Sequence, residues 1–444
     1  MSALRFGRPA FQDLRTALLA DPGREACGII YACDDANSGV WTVRRASVVP
    51  DDAYEHRDAI SAILKAAYLV EVANYARANN LSVTLAHTHP FSDGKPDFSP
   101  IDDEGEIALA EYFNRRVSGH THLALVVGRG ACRARVLGSG AEIAVWEVGS
   151  DLVCISAEGL HDAQSAYDRQ IRAFGAAGQR TIAALHVGIV GEGGTGSVVT
   201  QQLAHLGVQN FTLVDPDTVE QTNLNRLVGS SSKVLGTPKV LVAEHVIRSI
   251  NPSARVTALR RDVVDADIAP HLAGLDFIFL CTDSHASRAI VSQIAYQYLV
   301  PVIDVGVSIT AKLGNVSHIT GRVQMLAPGL PCLTCCGALN GEQIRREMLT
   351  DEQRSADPYV IGAHEPQPAV VSLNSTMSSL AVTMFLGAVT PIPASARFQY
   401  YDGVRGTVRP TVATADPNCI ICSENGALAR GASWSLPGRP VTRG

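Results

Sequence analysis

Residues 185–215 read LHVGIVGEGGTGSVVTQQLAHLGVQNFTLVD, and this stretch decides the fold of the segment around it. An apolar run is followed by a glycine-rich loop, by a helix-forming run, and by a second apolar run that ends at Asp215. Strands that alternate with helices of this length are joined by right-handed crossovers, which make neighbouring strands parallel and place helices on both faces of the sheet. The stretch therefore predicts an α/β domain with a mostly parallel sheet.

Apolar runs continue on both sides of this stretch and indicate two α/β domains in the 444 residues. Downstream, we predict further strands of the same sheet at 256–259, 277–281 and 302–305. Upstream, short β-rich runs alternate with helical patterns at 58–80 and 103–114, which predicts a separate compact α/β unit. The predicted boundaries are 1–150 for the first domain, 151–180 for a linker and connecting helix, 181–425 for the second domain, and 426–444 for a mobile tail.

The composition excludes several classes of partner. A formal net charge of -6 and a pI near 6.1 indicate no basic surface, so we expect no nucleic acid partner. The N-terminus lacks an apolar core of signal-peptide length, and the most apolar late stretch, 380–394, is short and contains two prolines. We expect a cytoplasmic protein without a membrane span, whose ten cysteines are reduced and available as metal ligands.

The glycines of the loop, Gly191, Gly193, Gly194 and Gly196, suit a phosphate-binding site. Because they lack side chains, the backbone N–H groups at the start of the following helix can approach a phosphate, whose charge the helix dipole favours. The same loop with an acidic residue at the end of the next strand, here Asp215, is also typical of NAD enzymes. An NAD-dependent oxidoreductase is therefore an open alternative.

Four residues further along favour ATP. Asn223, Arg226, Lys239 and Asp283 include two cations and a carboxylate that a dinucleotide does not require. Activation of a carboxylate by ATP does require such groups, because cations neutralise the polyphosphate as pyrophosphate leaves and a carboxylate can hold Mg²⁺.

These stretches resemble the ubiquitin-activating, MoeB and ThiF superfamily over roughly residues 160–425. The matches are GEGGTGS, LVDPDTVEQTNLNR, GTPK, CTDSHASR and an early AYDRQIRAFG. The resemblance implies a Rossmann-like ThiF-type domain with ATP and Mg²⁺ as cofactors, and a homodimer in which Arg169 reaches the nucleotide of the partner. The implied ATP-binding residues are Gly191, Gly193, Gly194, Gly196 and Asp215, with phosphate contacts from Asn223, Arg226 and Lys239 and with Mg²⁺ on Asp283.

The first domain carries a second chemistry in the stretch HTHP at 87–90, which Ser99 and Asp102 follow. The two histidines lie two positions apart at the end of an apolar run, so on a strand they project to one side and can bind one ion. With Asp102 they form the ligand set of a catalytic zinc. Glu25 is the candidate acid and base for a bound water, and Ser99 is the candidate hydrogen-bond donor to an oxyanion.

This set resembles the JAMM (JAB, MPN-plus) metallopeptidases, whose pattern is an upstream Glu, then His-x-His-Pro, then Ser-x-x-Asp. The resemblance implies that Glu25 is the general acid and base, that His87, His89 and Asp102 bind zinc, and that ubiquitin-like proteins are cut after their C-terminal residue. The loop at 91–98 is about two residues longer than the usual pattern. The alternative third ligands are therefore Asp93 and Asp97, and we interpret the second His-x-His pair, His120 and His122, as structural.

Cysteine pairs near the end of the second domain predict a further zinc site. Cys332-x-x-Cys335 and Cys419-x-x-Cys422 supply four thiolates, the closed tetrahedral set of a structural zinc. Superfamily members that form a thioester carry a cysteine in the segment that corresponds to 337–372, which here contains none. Cys336 is the nearest candidate for a catalytic thiol, although we favour a packed or spare thiol at this position.

Together the resemblances lead us to expect a fusion enzyme of a bacterial ubiquitin-like pathway. Its second domain would adenylate the C-terminal glycine carboxylate of a ubiquitin-like protein, and its first domain would process or deconjugate the same class of protein. A conjugating enzyme is then an expected partner. Two alternatives remain besides the NAD enzyme: activation of a sulfur-carrier protein for thiocarboxylate formation in cofactor biosynthesis, and a regulatory binding module with inactive sites.

Overall fold

In a computed structural model of the protein, the described residues are 2–35, 38–89, 96–156, 165–312, 315–350, 353 and 368–440. The chain forms two compact units. The first comprises Met1–Gly159, Gln297–Leu299 and Leu428–Ser435, and the second comprises Leu160–Tyr296, Val300–Ala427 and Leu436–Gly444. The residues that we expected to form a mobile tail are thus divided between the units, and within the second unit Arg439 pairs with Asp262 and Asp265, at 2.9 Å each.

The strands of the first unit are β1 Ala3–Gly7, β2 Cys27–Asp35, β3 Val40–Val48, β4 Tyr54–Arg57, β5 Ala62–Leu64, β6 Ser82–Thr88, β7 Leu123–Val127, β8 Cys132–Val136, β9 Glu142–Val148 and β10 Leu152–Cys154. Eight of them form one sheet with the order β1-β3-β2-β6-β7-β8-β9-β10, while β4 and β5 form a separate hairpin. Because β1 pairs with both β3 and β9, the sheet closes on itself. We expected a compact α/β unit but not this barrel-like closure, which the alternation of strands and helices along the sequence does not indicate.

Helices pack on both faces of this sheet and bury alternate residues of its strands. The helices are α1 Arg8–Leu18, α2 Ala66–Asn79 and α3 Pro100–Arg116. In β2, Ile30 faces an apolar cluster that includes residues of α1, whereas Ile29 and Tyr31 face a cluster that includes residues of α2 and α3. Side chains alternate between the two faces of a strand, so an uninterrupted apolar run such as β2 is buried on both sides.

The helix expected at 58–80 begins later than its pattern indicates. The side chain of Asp58 accepts hydrogen bonds from the backbone N–H groups of Ile60 and Ser61, both at 2.9 Å. Such a turn replaces the first turn of a helix, because the aspartate satisfies N–H groups that a helix would leave free. Residues 58–61 therefore join the two strands of the β4–β5 hairpin, and α2 starts only at Ala66.

The strands of the second unit are β11 His186–Val190, β12 Asn210–Val214, β13 Arg255–Leu259, β14 Phe277–Leu280, β15 Val302–Lys312, β16 Asn315–Leu326, β17 Phe398–Asp402 and β18 Thr407–Pro410. They form one sheet with the order β13-β12-β11-β14-β15-β16-β17-β18. Strands β11 to β15 are parallel, as the sequence predicts, and β15 to β18 pair antiparallel. The helices are α4 Asp168–Ala184, α5 Gly196–Leu206, α6 Lys239–Ile250, α7 Ala269–Ala273, α8 His285–Gln297, α9 Gly341–Glu347 and α10 Val371–Val389.

Helix α10 contains the first ten residues of the apolar stretch at 380–394, and it ends at Val389, before the two prolines of that stretch. The ring of Phe385 packs against the rings of Phe277 and Phe279 on β14, with centroids 4.9 and 5.6 Å apart. Aromatic pairs at these separations add to the stability of a core. Among the described residues, none of the helices combines the length and apolarity that a bilayer crossing requires.

Candidate nucleotide and metal sites

The glycine-rich loop lies between β11 and α5, where close packing leaves no room for side chains. Gly191 has a φ of +92°, and a Cβ at this position would lie 2.9 Å from the backbone carbonyl of Cys281. A Cβ on Gly196 would overlap the carbonyl of Gly191. Glycine tolerates both the positive φ and the lack of space for a Cβ. The tight loop therefore leads directly into the N-terminus of α5, where backbone N–H groups can bind a phosphate.

Asp215 supports this loop from the end of the neighbouring strand. It is 5% exposed, and its two carboxylate oxygens accept the backbone N–H groups of Glu192 and Asp217 at 2.7 and 2.8 Å. Burial raises the pKa of Asp215, while Lys239 and the two hydrogen bonds oppose this effect. The predicted nucleotide-binding carboxylate therefore also fixes the conformation of the loop.

Glu192, within the loop, was not identified from the sequence. Its side chain is fully buried; Oε1 accepts a hydrogen bond from Oγ1 of Thr200 at 2.8 Å, and Oε2 has no partner within the described part of the chain. Burial raises the pKa of Glu192 to about 8. A buried carboxyl group of this kind is protonated at neutral pH, because desolvation penalises its charged form.

Two of the predicted phosphate contacts, Arg226 and Lys239, lie beside the loop and Asp215. The Cδ atom of Arg226 is 3.3 Å from the position that a Cβ on Gly194 would take, and Nζ of Lys239 is 2.6 Å from the carboxylate of Asp217. Asn223 is buried and accepts the N–H of Glu220 through Oδ1 at 3.1 Å. Both cations thus lie at the carboxyl ends of the parallel strands, where ligands bind in open α/β sheets.

Asp283 lies exposed in the turn between β14 and α8. Glu347 on α9 holds this turn: its Oε2 accepts hydrogen bonds from Oγ of Ser284 and from the N–H of Ala286, both at 2.7 Å. Arg169, the predicted contact to a partner subunit, is exposed at the start of α4. Neither Arg169 nor Asp283 has an ion pair or side-chain hydrogen bond within the residues that the structure describes.

In the first unit, His87, His89 and Asp102 converge at the end of β6 and the start of α3. The two histidine Nε2 atoms are 3.2 Å apart, and the carboxylate oxygens of Asp102 lie 3.2 Å from Nε2 of His87 and 3.5 Å from Nε2 of His89. Ligand atoms at about 2.0–2.1 Å from a tetrahedral zinc are about 3.3–3.4 Å apart, so these three side chains fit one zinc ion. Asp97, an alternative ligand, instead pairs with Arg133 at 2.5 Å, and Pro90 and Asp93 lie outside the described residues.

Glu25 and Ser99 adjoin this cluster. Oε1 of Glu25 is 3.8 Å from Nε2 of His89, and burial raises the pKa of Glu25 against the influence of the two histidines. The β4–β5 hairpin holds Glu25 in place, because Nε of Arg57 donates to its carbonyl at 2.6 Å and its own N–H donates to the carbonyl of Asp58 at 2.8 Å. Ser99 caps α3: its Oγ accepts the N–H of Asp102.

The second His-x-His pair makes structural contacts. Nδ1 of His122 accepts the backbone N–H of Val83 at 3.0 Å, and Nδ1 of His120 is 2.6 Å from the carboxylate of Asp34. Burial lowers the pKa of His122, so the neutral ring serves as a backbone acceptor in the core.

The four cysteines of the two Cys-x-x-Cys pairs form one cluster in the second unit. The Sγ atom of Cys332 is 3.6 Å from that of Cys335 and 3.5 Å from that of Cys419, and Cys335 and Cys422 are 3.6 Å apart. Sulfur ligands at 2.3 Å from a tetrahedral zinc are about 3.8 Å apart, so the cluster suits a structural zinc. Cys336 lies outside it, and its Sγ accepts a hydrogen bond from Nε2 of Gln324 at 3.2 Å. Burial raises the pKa of Cys336, which does not favour a reactive thiolate.

Comparisons with known proteins agree with the geometry of the second unit. Molybdopterin-synthase adenylyltransferase of Escherichia coli is 31% identical over 260 residues, which are 58% of this chain and 96% of that protein. SAMP-activating enzyme E1 of Haloferax volcanii is 25% identical over 252 residues, 57% of this chain and 85% of its own. Sulfur carrier protein adenylyltransferase of Thermus thermophilus is 26% identical over 273 residues, 58% and 90% respectively.

The profile of the ThiF family matches residues 167–421, which are more than half of the chain. This match does not extend to the residues before 167, so the resemblance of the first unit to JAMM peptidases stays a prediction. Through residues 167–421, the chain belongs to the ThiF family.

Proposed function

We propose that the second unit uses ATP and Mg²⁺ to adenylate the C-terminal carboxylate of a small carrier protein, and that this carrier accepts sulfur. The proposal rests on one observation: a single edge of the parallel sheet carries the glycine loop, Asp215, Arg226 and Lys239. Family membership favours ATP over NAD at this loop. Relatives that act, by their names, on molybdopterin synthase and on a sulfur carrier favour a sulfur carrier over a ubiquitin-like protein destined for conjugation.

The proposed reaction transfers AMP to a carboxylate. A carboxylate oxygen of the carrier attacks the α-phosphorus of ATP, the bond from that phosphorus to the β-phosphate oxygen breaks, and pyrophosphate leaves. Arg226 and Lys239 would stabilise the charge on the phosphates, for which Lys239 would exchange Asp217 for a phosphate oxygen. Asp283 would hold Mg²⁺, a hard cation that prefers carboxylate oxygens. The acyl adenylate is then ready for attack by a sulfur nucleophile.

The cysteine pattern agrees with release of the adenylate to a separate sulfur donor. No cysteine occurs at 337–372, burial raises the pKa of Cys336, and its Sγ accepts a hydrogen bond from Gln324. An enzyme that passes its carrier to a conjugating enzyme through its own thioester would need an activated thiol. Adenylation without a thioester on this chain is therefore the simpler proposal.

Exchange of labelled pyrophosphate into ATP tests this function. We expect exchange that depends on a small carrier ending in glycine, is lost when that glycine is deleted, and is lost in Asp283→Ala. Asp267→Ala is the matched control, because Asp267 is also exposed in this unit and pairs only with Arg261 among the described residues. Addition of sulfide should then give a thiocarboxylate on the carrier, detected as a mass increase. If none of the carriers tested supports pyrophosphate exchange, the proposal is contradicted. If the activated carrier is transferred to a conjugating enzyme, the choice of a sulfur carrier is contradicted.

A second function is favoured by the cluster of the first unit. We propose that the first unit is a zinc peptidase that removes residues beyond the C-terminal glycine of the same class of carrier. The separations of His87, His89 and Asp102 fit one zinc ion, which would supply a water of lowered pKa. Glu25, whose pKa burial raises, would take the proton of that water and return it to the leaving amine, and the Oγ–H of Ser99 would donate to the oxyanion.

Cleavage of a carrier with a C-terminal extension tests this second function. We expect Glu25→Gln to keep bound zinc and lose cleavage, since glutamine cannot transfer the proton. Glu55→Gln, at an exposed position on the nearby hairpin strand β4, serves as the control. Cleavage by the Glu25→Gln variant at the wild-type rate would refute the assignment of Glu25, and no cleavage by the zinc-loaded wild type would refute the peptidase.

A further inference from the structure

Helix α10 contacts the glycine loop of the second unit directly. Oγ of Ser378 donates a hydrogen bond to the carbonyl of Thr195 at 2.9 Å. One turn earlier, Asn374 lies against Gly194: a Cβ on Gly194 would overlap Nδ2 of Asn374 and lie 3.1 Å from its Cγ. A side chain at the third glycine of the loop would therefore displace the amide of Asn374.

The amide of Asn374 has no evident structural task. The residue is only 5% exposed, and its side chain makes no hydrogen bond within the described residues. Its backbone N–H donates to the carbonyl of Val370 at 3.1 Å, and its carbonyl lies 2.8 Å from Oγ of Ser378, whose single proton it shares with the carbonyl of Thr195. Side-chain amides with so little exposure and no hydrogen-bond partner are rare in folded proteins unless they serve a ligand.

Arg226 indicates which ligand this amide serves. Its Cδ atom and the amide of Asn374 approach the same side of Gly194, where a Cβ would meet both. The first is a cation and the second offers two N–H donors, next to the backbone N–H groups of the loop. Nη1 of Arg226 donates to the carbonyl of Thr222 at 2.5 Å and to Oδ1 of Asn225 at 3.2 Å, and it would exchange these acceptors for a phosphate oxygen. Donors from three segments beside a helix N-terminus are suited to a phosphate.

We propose that the side-chain amide of Asn374 binds a phosphate of ATP at the glycine loop, together with Arg226. The inference rests on the proposed adenylation and adds a nucleotide-binding residue from α10, outside the motifs of the loop and of the strands that follow it. Asn374 would hold the phosphates still while pyrophosphate leaves, and would contribute nothing to recognition of the adenosine.

Calorimetric titration of the full-length protein with ATP and, separately, with adenosine tests the proposal. Asn374→Ala removes the donor and should weaken ATP binding about ten-fold, as expected for one hydrogen bond to a charged group. Asn374→Asp keeps the shape of the side chain but places a negative charge beside the phosphates, so it should weaken ATP binding more than alanine does. Adenosine should bind all variants equally. Thr376→Ala, at an exposed position of the same helix, should bind ATP like the wild type.

The outcomes separate this inference from the function on which it rests. Unchanged ATP affinity in both Asn374 variants, or an equal loss for adenosine and ATP, would overturn the phosphate contact while leaving adenylation intact. A milder effect of aspartate than of alanine would also overturn it, because a merely packed side chain tolerates the isosteric change best. A wild-type protein that binds adenosine and ATP equally well, and shows no pyrophosphate exchange, would overturn both proposals.

Discussion

Ser99 and Asp102 cap each other at the first turn of α3. The backbone N–H of Ser99 donates to Oδ2 of Asp102 at 2.6 Å, and the backbone N–H of Asp102 donates to Oγ of Ser99 at 3.3 Å. The same carboxylate places Oδ1 3.2 Å from Nε2 of His87. One side chain thus begins a helix and completes the candidate metal cluster, so the cap fixes the orientation of a proposed ligand.

Replacement of Ser99 tests this coupling. Ser99→Ala should lower the free energy of unfolding by about 1 kcal/mol, the usual cost of a lost N-cap. It should also weaken zinc binding at the histidines, because the first turn of α3, which carries Asp102, loses the hydrogen bond from the N–H of Asp102 to Oγ of Ser99. Denaturant unfolding and competition with a chelating dye measure the two effects. Asn340→Ala is the matched control, since Asn340 caps α9 through the N–H of Gln343 at 3.0 Å in the other unit. Unaltered zinc affinity in Ser99→Ala would show that the cap does not position Asp102.

The two metal clusters predict a specific zinc content. We expect two zinc ions per chain, one at each cluster, when metal is measured by plasma mass spectrometry after dialysis. Replacing His87 and His89 together should remove one ion, and Cys335→Ser should remove the other. Only the cysteine variant should lower the melting temperature markedly, because that cluster joins segments 87 positions apart in the chain. Full zinc content in either variant would refute the corresponding site.

The architecture of the second unit could be predicted from its sequence because the deciding signals are local. The glycine loop and the apolar runs around it specify strands, helices and their parallel order without reference to distant residues. The closure of the first sheet depends instead on pairing of Ala3 with Ala144, and a contact between such distant positions leaves no periodic pattern. The hairpin at 54–64 was missed for a different reason, since the turn at Asp58 overrides a helical pattern.

The candidate sites divide in the same way. Glu25, His87, His89 and Asp102 belong to a spaced motif, and the structure brings them together. Glu347 and Asn374 belong to no motif: they reach the turn of Asp283 and the glycine loop only because α9 and α10 pack there. Residue types of this kind, on helices far along the chain, are identified from tertiary contacts alone.

The position of Arg169 in the family motif leads us to predict an active site that is completed by a second subunit. It is exposed at the start of α4, and the family resemblance implies that it acts on the nucleotide of a partner. Arg169→Ala and Asp283→Ala should each abolish pyrophosphate exchange. Once the two variants have exchanged subunits, a mixed dimer has one complete site, so the mixture should recover about a quarter of the wild-type activity.

Differently tagged copies show whether subunits have exchanged in that experiment. If the tags purify together and activity stays at the level of the separate variants, Arg169 does not act in trans. If Arg169→Ala alone keeps wild-type activity, the residue has no part in the site.

Glu192 makes the stability of the nucleotide loop dependent on pH. Burial raises its pKa from 4.5 to about 8, so the folded protein keeps a proton on this group that the unfolded chain releases above about pH 4.5. The stability that protonated Glu192 contributes is therefore complete below about pH 4.5 and is lost as the pH rises towards about 8.

Glu192→Gln keeps the size of the side chain without a titrating proton. The melting temperature of this variant, relative to that of the wild type, should therefore rise between about pH 5 and pH 8. Differential scanning calorimetry across this range measures the difference, with Glu71→Gln at an exposed position of α2 as the control. Parallel pH profiles for the wild type and Glu192→Gln would mean that Glu192 does not hold its proton in the folded protein, and the unpartnered Oε2 would then need a cation beside it.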